Sequence, residues 1–372
     1  MRHVREGEGR VIYLDYQATT PLAPEAREAM LPWLEGPGGT GFGNPHSSHR
    51  LGRQAAAGVE VAREQVASIL PEGGQVIFTG SATEALNLAI RGSRAGRGRA
   101  SMAISAIEHS AVLRTAEAVA GELAILPVDA EGLADPQVEL PKGVGLVSMM
   151  QVNNEIGTIQ PVDALGERAR AAGALFVCDA VQGAGKIAPP KHADLVAISA
   201  HKLYGPKGIG ALWIRDGIEL EPAITGGGQE QGLRSGTLSP ALCAGFGAAA
   251  QLASKRMEED AALMEVLWSR ARELFSGWAL NGSDTRRWKG NLNIRRECLD
   301  VARLISDVRD VCFSAGSACA SEEGKPSRIL GALGLSRAQA KGSIRLGLGR
   351  YTRIEELEEA AEKINQAADA QG

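Results

Sequence analysis

Short apolar runs alternate with longer helical patterns through the first two thirds of the chain. The apolar runs predict seven strands, at residues 75–79, 101–105, 124–128, 144–149, 174–179, 195–199 and 209–214. The patterns between several of these strands predict helices at residues 82–90, 111–120 and 161–172. This alternation is typical of an α/β fold in which helices cover both faces of a mostly parallel sheet. Such sheets bind ligands outside the carboxyl ends of their strands.

The pattern changes after residue 239. A long helical stretch covers residues 239–276 and is followed by strands at 291–294, 311–313 and 343–348, a helix at 299–307 and a charged helix at 354–368. We interpret this part as a second, smaller α+β domain. The predicted large domain spans residues 16–245, and the predicted small domain combines residues 1–15 with residues 246–372.

Composition narrows the class of protein. The 372 residues include 40 Lys and Arg against 44 Asp and Glu, and a net charge of −4 offers no basic field to nucleic acid or to an anionic membrane. No uninterrupted run of about 18 apolar residues predicts a membrane span, and the charged first ten residues lack the apolar core of a secretory signal. We therefore expect no nucleic-acid partner, no membrane and a cytoplasmic location.

Cysteine and glycine add two further points. The five cysteines contain no Cys-x-x-Cys pair, which disfavours a zinc site, and we predict no metal. An odd number of cysteines leaves at least one thiol free. Glycine, with 46 residues, exceeds its usual share and marks tight turns and places where the backbone approaches another group closely.

Two residues at predicted strand ends point to a cofactor. Lys202 follows the strand at 195–199, and a lysine there can form a Schiff base when burial or neighbouring cations lower its pKa. Asp179 closes the strand at 174–179, and its carboxylate could keep a pyridinium nitrogen protonated and make the ring an electron sink. Taken alone, Lys202 would more often be a surface lysine, and Asp179 a helix N-cap.

A phosphate site is indicated by the segment 79–84, which joins a strand to a helix. Small residues at a helix start leave backbone amides free to bind an anion, and the segment includes Ala82 and the hydroxyl of Thr83. Ser81 and Glu84 also fit a plain capping box. Both interpretations can hold, because capping and anion binding use the same end of a helix.

His109 follows the strand at 101–105, where it could stack on an aromatic cofactor and relay a proton, although a lone histidine is more often structural. Gln182 could donate to the phenolic oxygen of such a cofactor. Because these residues, Lys202 and Asp179 all follow strands of one predicted sheet, a shared cofactor site explains them better than a separate structural role for each.

At this point the chain resembles the NifS/IscS-type cysteine desulfurases, which have the aminotransferase-like fold type I of enzymes that use pyridoxal 5′-phosphate. The motifs that carry the resemblance are YLDYQATTP (13–21), GNP (43–45), GSATE (80–84), EH (108–109), VNNEIG (152–157), DAVQ (179–182), SAHKLYGPKGIG (199–210), GGGQEQGLRSGT (226–237), SAC (317–319) and SIRLGLGR (343–350). They cover nearly the whole chain in family order, which makes the resemblance highly specific.

The resemblance implies a homodimer that removes sulfur from L-cysteine, and it implies the role of each site residue. Lys202 would bind the cofactor and act as a base at the substrate Cα, while His109 stacks on the ring. Asp179 and Gln182 would bond the ring nitrogen and the phenolic oxygen. The remaining cofactor contacts would be Ala82, Thr83, Ser199, His201, Asn154 and, from the other subunit, Thr237. Asn154 and Arg345 would bind the substrate carboxylate, which a guanidinium matches bidentately.

By the same resemblance, Cys319 is the residue that selects sulfur chemistry. Its thiolate would attack the sulfur of the substrate, leaving a persulfide on Cys319 and releasing alanine. The surrounding segment is small, polar and glycine-bearing, unlike the apolar strand that contains Cys178. The residues that follow, ASEEGK at 320–325, carry more charge than is common in close relatives. The sulfur-acceptor or iron–sulfur scaffold protein is therefore left open.

Two alternatives stay open. One is another fold type I enzyme, such as a selenocysteine lyase or an aminotransferase, and an aminotransferase would not need Cys319. The other is a non-catalytic sulfur-transfer or scaffold-binding protein that keeps the fold. The combination of Lys202, Asp179, His109 and Cys319 argues against this second alternative.

Overall fold

The computed structural model describes residues 11–93, 100–316 and 327–371. Its strands are β1 (Ile12–Tyr13), β2 (Gly74–Thr79), β3 (Ser101–Ser105), β4 (Glu122–Leu126), β5 (Val144–Ser148), β6 (Leu175–Asp179), β7 (Leu195–Ser199), β8 (Gly210–Arg215), β9 (Ala279–Leu280), β10 (Asn291–Arg295), β11 (Val311–Cys312), β12 (Ser314–Ala315) and β13 (Ser343–Gly347). Its α-helices are α1 (Pro24–Met30), α2 (Arg50–Ala67), α3 (Ala82–Gly92), α4 (Ser110–Val119), α5 (Val162–Ala171), α6 (Pro240–Leu274), α7 (Val301–Asp307), α8 (Arg328–Ala332), α9 (Arg337–Lys341) and α10 (Ile354–Asp369).

Strands β2 to β8 form a seven-stranded sheet in the order β2-β8-β7-β6-β5-β3-β4. Strand β8 runs antiparallel to β2 and β7, and the other neighbours pair in parallel. The predicted α/β fold with a mostly parallel, seven-stranded sheet is confirmed, and each strand overlaps its predicted range. This topology places the carboxyl ends of β2, β3, β5, β6 and β7 and the start of β8 at one edge of the sheet.

Alternating side chains of the strands enter two separate cores. On β2, Val76 and Phe78 pack in the core that also contains residues of α2, α5 and α6, whereas Ile77 packs in the core formed with α3 and α4. Both faces of the sheet are therefore covered, as a parallel sheet requires. Helix α2 was not predicted from the sequence, although its buried residues Gly52, Ala55, Val59, Ala62 and Val66 recur at helical spacing. This stripe consists of small residues and contains no large apolar side chain.

Helix α6 is shared between two packing units. Its first half contributes Phe246 and Ala253 to the core of the large sheet, whereas its second half contributes Met264 and Trp268 to a different core. The packing thus changes after Ala253, and the domain boundary at residue 245 stays a prediction. Although α6 spans 35 residues, no helix within the described ranges is long and apolar enough to cross a lipid bilayer.

The second unit contains a four-stranded antiparallel sheet in the order β12-β13-β10-β9. Strand β1 pairs in parallel with β11, and its neighbourhood contributes Ile12 and Leu14 to the core of this unit. Helices α7 and α10 pack on the same core. The N-terminal segment therefore packs with residues that lie about three hundred positions later. Such a distant contact is possible because the entropy cost of closing a loop grows only slowly with its length.

Candidate active site

A cavity of about 320 Å³ opens at the carboxyl edge of the seven-stranded sheet. Ten residues that the sequence analysis singles out line it, namely Ala82, Thr83, His109, Asn154, Asp179, Gln182, Ser199, His201, Lys202 and Arg345. Thr237 is exposed and does not line this cavity. Cys319 lies outside the described residues. The fold therefore gathers at one place the strand-end residues that were predicted to bind a cofactor.

Lys202 ends a 3₁₀ turn, Ala200–Lys202, that continues directly from β7. Its Nζ donates to the backbone oxygen of Gln17 at 2.5 Å and to that of Ala18 at 2.7 Å. Two carbonyl groups of the N-terminal segment therefore fix the amine at the cavity wall.

The turn around Lys202 is held on both sides. The amide of Thr20 donates to the His201 carbonyl at 2.9 Å, and the Thr20 hydroxyl accepts from the amide of Tyr204 at 2.8 Å. Tyr204 has a φ of +68°, which is unfavourable for a tyrosine. Its hydroxyl accepts from the amide of Arg350 at 2.7 Å, and the Arg350 guanidinium lies 4.2 Å from the ring centre. These contacts stabilise the strained backbone that presents Lys202.

Asp179 ends β6 as a buried carboxylate. Its Oδ1 accepts from the amide of Val181 at 3.0 Å. Burial raises the pKa of Asp179, whereas His109, the Val181 amide and Lys202 lower it. A protonated ring nitrogen beside this carboxyl would favour its ionised form.

Gln182 lies one turn beyond Asp179 and is almost fully buried. Its Nε2 donates to the backbone oxygen of Gln17 at 3.0 Å. Its Oε1 has no hydrogen-bond partner among the described residues. The amide therefore retains one N–H and one oxygen for a ligand.

His109 caps helix α4, because its Nδ1 accepts from the amide of Ala111 at 3.1 Å. This bond uses the lone pair of Nδ1, so in this geometry the ring can donate only through Nε2. The preceding residue, Glu108, is fully buried, and its Oε1 accepts from the amide of Met150 at 2.7 Å. Burial, and then the charge of Asp179, raise the pKa of Glu108 to about 8. Glu108 is therefore protonated at neutral pH and adds no negative charge beside Asp179.

The start of α3 supplies free backbone amides. Ser81 caps the helix by accepting from the amide of Glu84 at 3.2 Å, and the first helical bond runs from the amide of Ala85 to the Ser81 carbonyl at 3.1 Å. The amides of Ala82 and Thr83 precede that bond and therefore have no helical acceptor. The capping and the phosphate-binding interpretations of this segment are thus compatible.

Gly210 begins β8 at the same edge of the sheet. A Cβ at this position would lie 2.6 Å from the carbonyl carbon of Ser81 and 2.7 Å from the amide nitrogen of Ala82. Only glycine therefore allows β8 to pass this close to the start of α3.

His201 meets the cavity as an uncharged group. Its Nδ1 lies 3.2 Å from the hydroxyl oxygen of Thr19. Burial, followed by the charges of Lys202, Lys207 and Lys186, lowers the pKa of His201 to about 4. At neutral pH this histidine can offer a phosphate a hydrogen bond and no charge.

Arg345 lies on β13 with only 1% of its side chain exposed. Its Nη1 donates to the Asn154 carbonyl at 3.0 Å, and its Nη2 donates to Oδ1 of Asp15 at 2.8 Å and to the hydroxyl of Ser314 at 3.2 Å. Its Nε is buried and has no acceptor among the described residues. An unpaired cationic donor on the wall of a cavity indicates an anionic ligand.

Part of the site was not predicted from the sequence. Asp15, Gln17 and Ala18 had no predicted role, although all three lie in the motif at 13–21. Their partners, Lys202 and Arg345, lie 184 to 330 positions away along the chain. The motif itself was the available signal, but it does not show which residues it contacts.

These residues fit pyridoxal 5′-phosphate. The cavity volume falls in the usual range for cofactor sites, about 300 to 1,000 Å³. The Lys202 amine would bind the aldehyde of the cofactor, and the buried Asp179 carboxylate would pair with its ring nitrogen. The amides at the start of α3 would bind the phosphate, and Arg345 would bind the carboxylate of the amino acid.

Comparison with known proteins agrees with this geometry. The family described as "Aminotransferase class-V" matches residues 12–359. The mitochondrial cysteine desulfurase of Drosophila melanogaster is 41% identical, over 96% of this chain and 80% of its own length. The cysteine desulfurase IscS of Rickettsia bellii is 40% identical, over 96% of this chain and 92% of its own length. A solved NifS-like protein is 30% identical, with a TM-score of 0.87 over 97% of this chain and all of its own.

The fold and the site define an enzyme that uses pyridoxal 5′-phosphate. The matches over nearly the whole chain then fix the family. The chain belongs to the class-V aminotransferases, in the IscS/NifS group of cysteine desulfurases.

Gly210→Ala tests the contact between β8 and the start of α3. The new methyl group forces one of them to move, so we expect pyridoxal phosphate to bind about tenfold more weakly. Titration of the apoenzyme with the cofactor, followed by visible absorbance, measures the affinity. Gly277→Ala is the control, because no atom lies within 4 Å of the position its Cβ would take. Equal affinity in the two variants would contradict the predicted role of Gly210.

Glu108→Gln tests the buried neutral carboxyl. Folding raises the pKa of Glu108 from 4.5 to about 8, so the folded state binds the extra proton between these values. The free energy of unfolding should therefore fall as pH rises through this window, and the fall should be smaller in the variant. Part of it remains, because burial also raises the pKa of Glu155 to about 7.

Urea unfolding at several pH values measures this dependence. The control is Glu117→Gln, which changes an exposed residue of α4 and should reproduce the wild-type dependence. A wild-type pH dependence in Glu108→Gln would show that Glu108 is ionised in the folded protein.

Proposed function

We propose that this enzyme removes sulfur from L-cysteine, releases L-alanine and leaves the sulfur as a persulfide on Cys319. An acceptor protein then takes the sulfur for iron–sulfur cluster assembly or for thiolation. The observation that carries the proposal is the convergence of Lys202, Asp179, His109 and Arg345 on one cavity. Membership of the cysteine desulfurase group supports the sulfur chemistry.

When bound, pyridoxal phosphate withdraws electrons from the substrate Cα and so acidifies its proton. Lys202 is the group that moves this proton, since its amine is held at the cavity wall by two carbonyl oxygens. Asp179, on the wall of the same cavity, favours a positive charge on a neighbouring group. Arg345, which lines the same cavity, orients the substrate by its carboxylate.

Cys319 acts as the nucleophile of the sulfur transfer. Its thiolate forms a bond with the substrate sulfur while the bond between that sulfur and Cβ breaks. The electron pair of the broken bond stays on the carbon skeleton, which takes up a proton to become L-alanine. The sulfur remains on Cys319 as a persulfide, from which a thiol of the acceptor can remove it.

Cys319→Ser tests this proposal. We expect the variant to keep the visible absorbance of the bound cofactor and to form alanine at least about 100-fold more slowly, because a hydroxyl cannot accept the sulfur. Alanine formation and mass analysis of the Cys319 peptide for one added sulfur atom are the measurements. Cys298→Ser is the matched control, because Cys298 is a free, exposed cysteine outside the cavity and should behave as the wild type. Alanine formation at the wild-type rate in Cys319→Ser would favour a lyase that does not need Cys319, whereas formation of the 2-oxo acid without alanine would favour an aminotransferase.

We also propose that the enzyme is a homodimer in which Thr237 binds the cofactor phosphate of the partner. Thr237 is exposed and lies outside the cavity of its own chain. Leu34 and Phe42 are 62% and 59% exposed, and a partner subunit would cover such apolar side chains.

Sedimentation equilibrium should give a mass of about 78 kDa, twice the 39.0 kDa of one chain. Thr237→Val removes the hydroxyl with little change in shape and should weaken cofactor binding. The same change at the exposed Thr285 should leave it unaltered. A mass of one chain, or unchanged binding in Thr237→Val, would overturn the shared site.

A further inference from the structure

Asp15 joins the proposed carboxylate site to two other parts of the chain. Its Oδ1 accepts from Nη2 of Arg345 at 2.8 Å and from the hydroxyl of Ser314 at 2.8 Å. Ser314 also lies directly opposite Arg345 across the pair β12–β13. A buried guanidinium needs a partner, and Asp15 is the carboxylate within ion-pair distance of it in the described part of the chain.

Several backbone hydrogen bonds fix the position of Asp15. Asp15 forms a parallel bridge with Gly347, and the amide of Gly347 donates to the Leu14 carbonyl at 2.7 Å. The Asp15 carbonyl accepts from the amide of Ala18 at 2.9 Å and from the hydroxyl of Tyr13 at 3.1 Å. The carboxylate therefore has a defined position relative to β13.

The turn that begins at Asp15 also reaches Lys202. Gln17 and Ala18, whose carbonyl oxygens hold the Lys202 amine, follow Asp15 within the same turn. One short segment thus contacts both the cation that would bind the substrate carboxylate and the amine that would act at the substrate Cα.

We infer that Asp15 is a positioning residue that orients the Arg345 guanidinium at the cavity wall for the carboxylate of the amino-acid substrate. The inference rests on the proposed function, because it takes Arg345 as the carboxylate site. The two Nη atoms of Arg345 donate to three acceptors, on Asp15, Ser314 and Asn154. Its Nε is left unpaired among the described residues. A planar guanidinium that is fixed at its two Nη atoms cannot rotate, so the direction of its free N–H is set.

Asp15 also sets the charge of the site. The Arg345–Asp15 pair is neutral as a whole, so recognition of a carboxylate depends on the direction of the hydrogen bond more than on net positive charge. The site consequently favours ligands that place a carboxylate next to the amine, and not any anion. We therefore predict that the enzyme binds α-amino acids more tightly than the corresponding amines. This difference in affinity should disappear when Arg345 is no longer held in its orientation.

The test compares L-alanine, the proposed product, with ethylamine, which is the same molecule without its carboxylate. The ratio of their dissociation constants, measured on the holoenzyme by the change in visible absorbance, reports recognition of the carboxylate alone. Asp15→Ala should reduce this ratio about tenfold, the effect of one hydrogen bond to a charged group. Asp15→Asn keeps an oxygen at the same place and should retain at least a third of the ratio.

Asp310→Ala is the matched control. Asp310 also forms an ion pair, with Lys363, but does not line the cavity, and the ratio should stay at its wild-type value. If Asp15→Ala does not fold, Ser314→Ala replaces it, and a ratio reduced about threefold supports the inference. An unchanged ratio in Asp15→Ala, or in Ser314→Ala in its place, overturns it, as does an Asp15→Asn variant that loses as much as Asp15→Ala.

Arg345→Ala separates the two proposals. If this variant loses the preference for L-alanine and the Asp15 variants keep it, Arg345 binds the carboxylate without help from Asp15, and only the inference fails. If Arg345→Ala keeps the preference, the carboxylate binds elsewhere, and the substrate site of the proposed function fails with it.

Discussion

Charge that is buried away from water has to be matched by an opposite charge, by hydrogen bonds or by a change of protonation state, and the cavity uses all three. The Arg345 guanidinium is matched by Asp15, and the Lys202 amine by two carbonyl oxygens. Burial keeps Glu108 protonated and His201 neutral at neutral pH. Two groups are left without a full match. The buried Asp179 carboxylate lacks a directly bonded cation among the described residues, and Nε of Arg345 lacks an acceptor.

These two unmatched groups explain why the geometry suits a zwitterionic substrate on a cationic ring. A ligand that supplies one positive charge near Asp179 and one carboxylate near Arg345 stabilises both at once. The sheet fixes the first of these groups and the antiparallel unit fixes the second, so the cavity depends on how the two packing units meet. Helix α6, which contributes Phe246 to one core and Trp268 to the other, connects them without a break.

The sequence allowed a large part of this to be predicted, for a physical reason. Parallel strands bring their carboxyl ends to the same edge, so residues such as Asp179 and Lys202 could be placed together once the strands were recognised. The role of Arg345 came from the family resemblance. The strand that carries it was predicted, but no pattern showed that this strand would meet the large sheet.

What sequence reasoning could not supply were the long-range contacts. Helix α2 was missed because its buried face, although it recurs at helical spacing, is made of glycine, alanine and valine and contains no large apolar side chain. The role of the turn from Asp15 to Ala18 was not predicted, because its function lies in its backbone carbonyls and in one carboxylate. Such groups are present in every segment, and only the fold shows which of them face a cation.

The pairing of Asp15 with Arg345 also has a consequence for the order in which the molecule is made. The two residues lie 330 positions apart. The ribosome therefore synthesises the whole seven-stranded sheet after Asp15 and before Arg345. Until then the segment that carries Asp15 lacks both β11 and β13 as neighbours. The sheet can therefore fold and present Lys202 first, and the end of the site that selects the substrate is completed last.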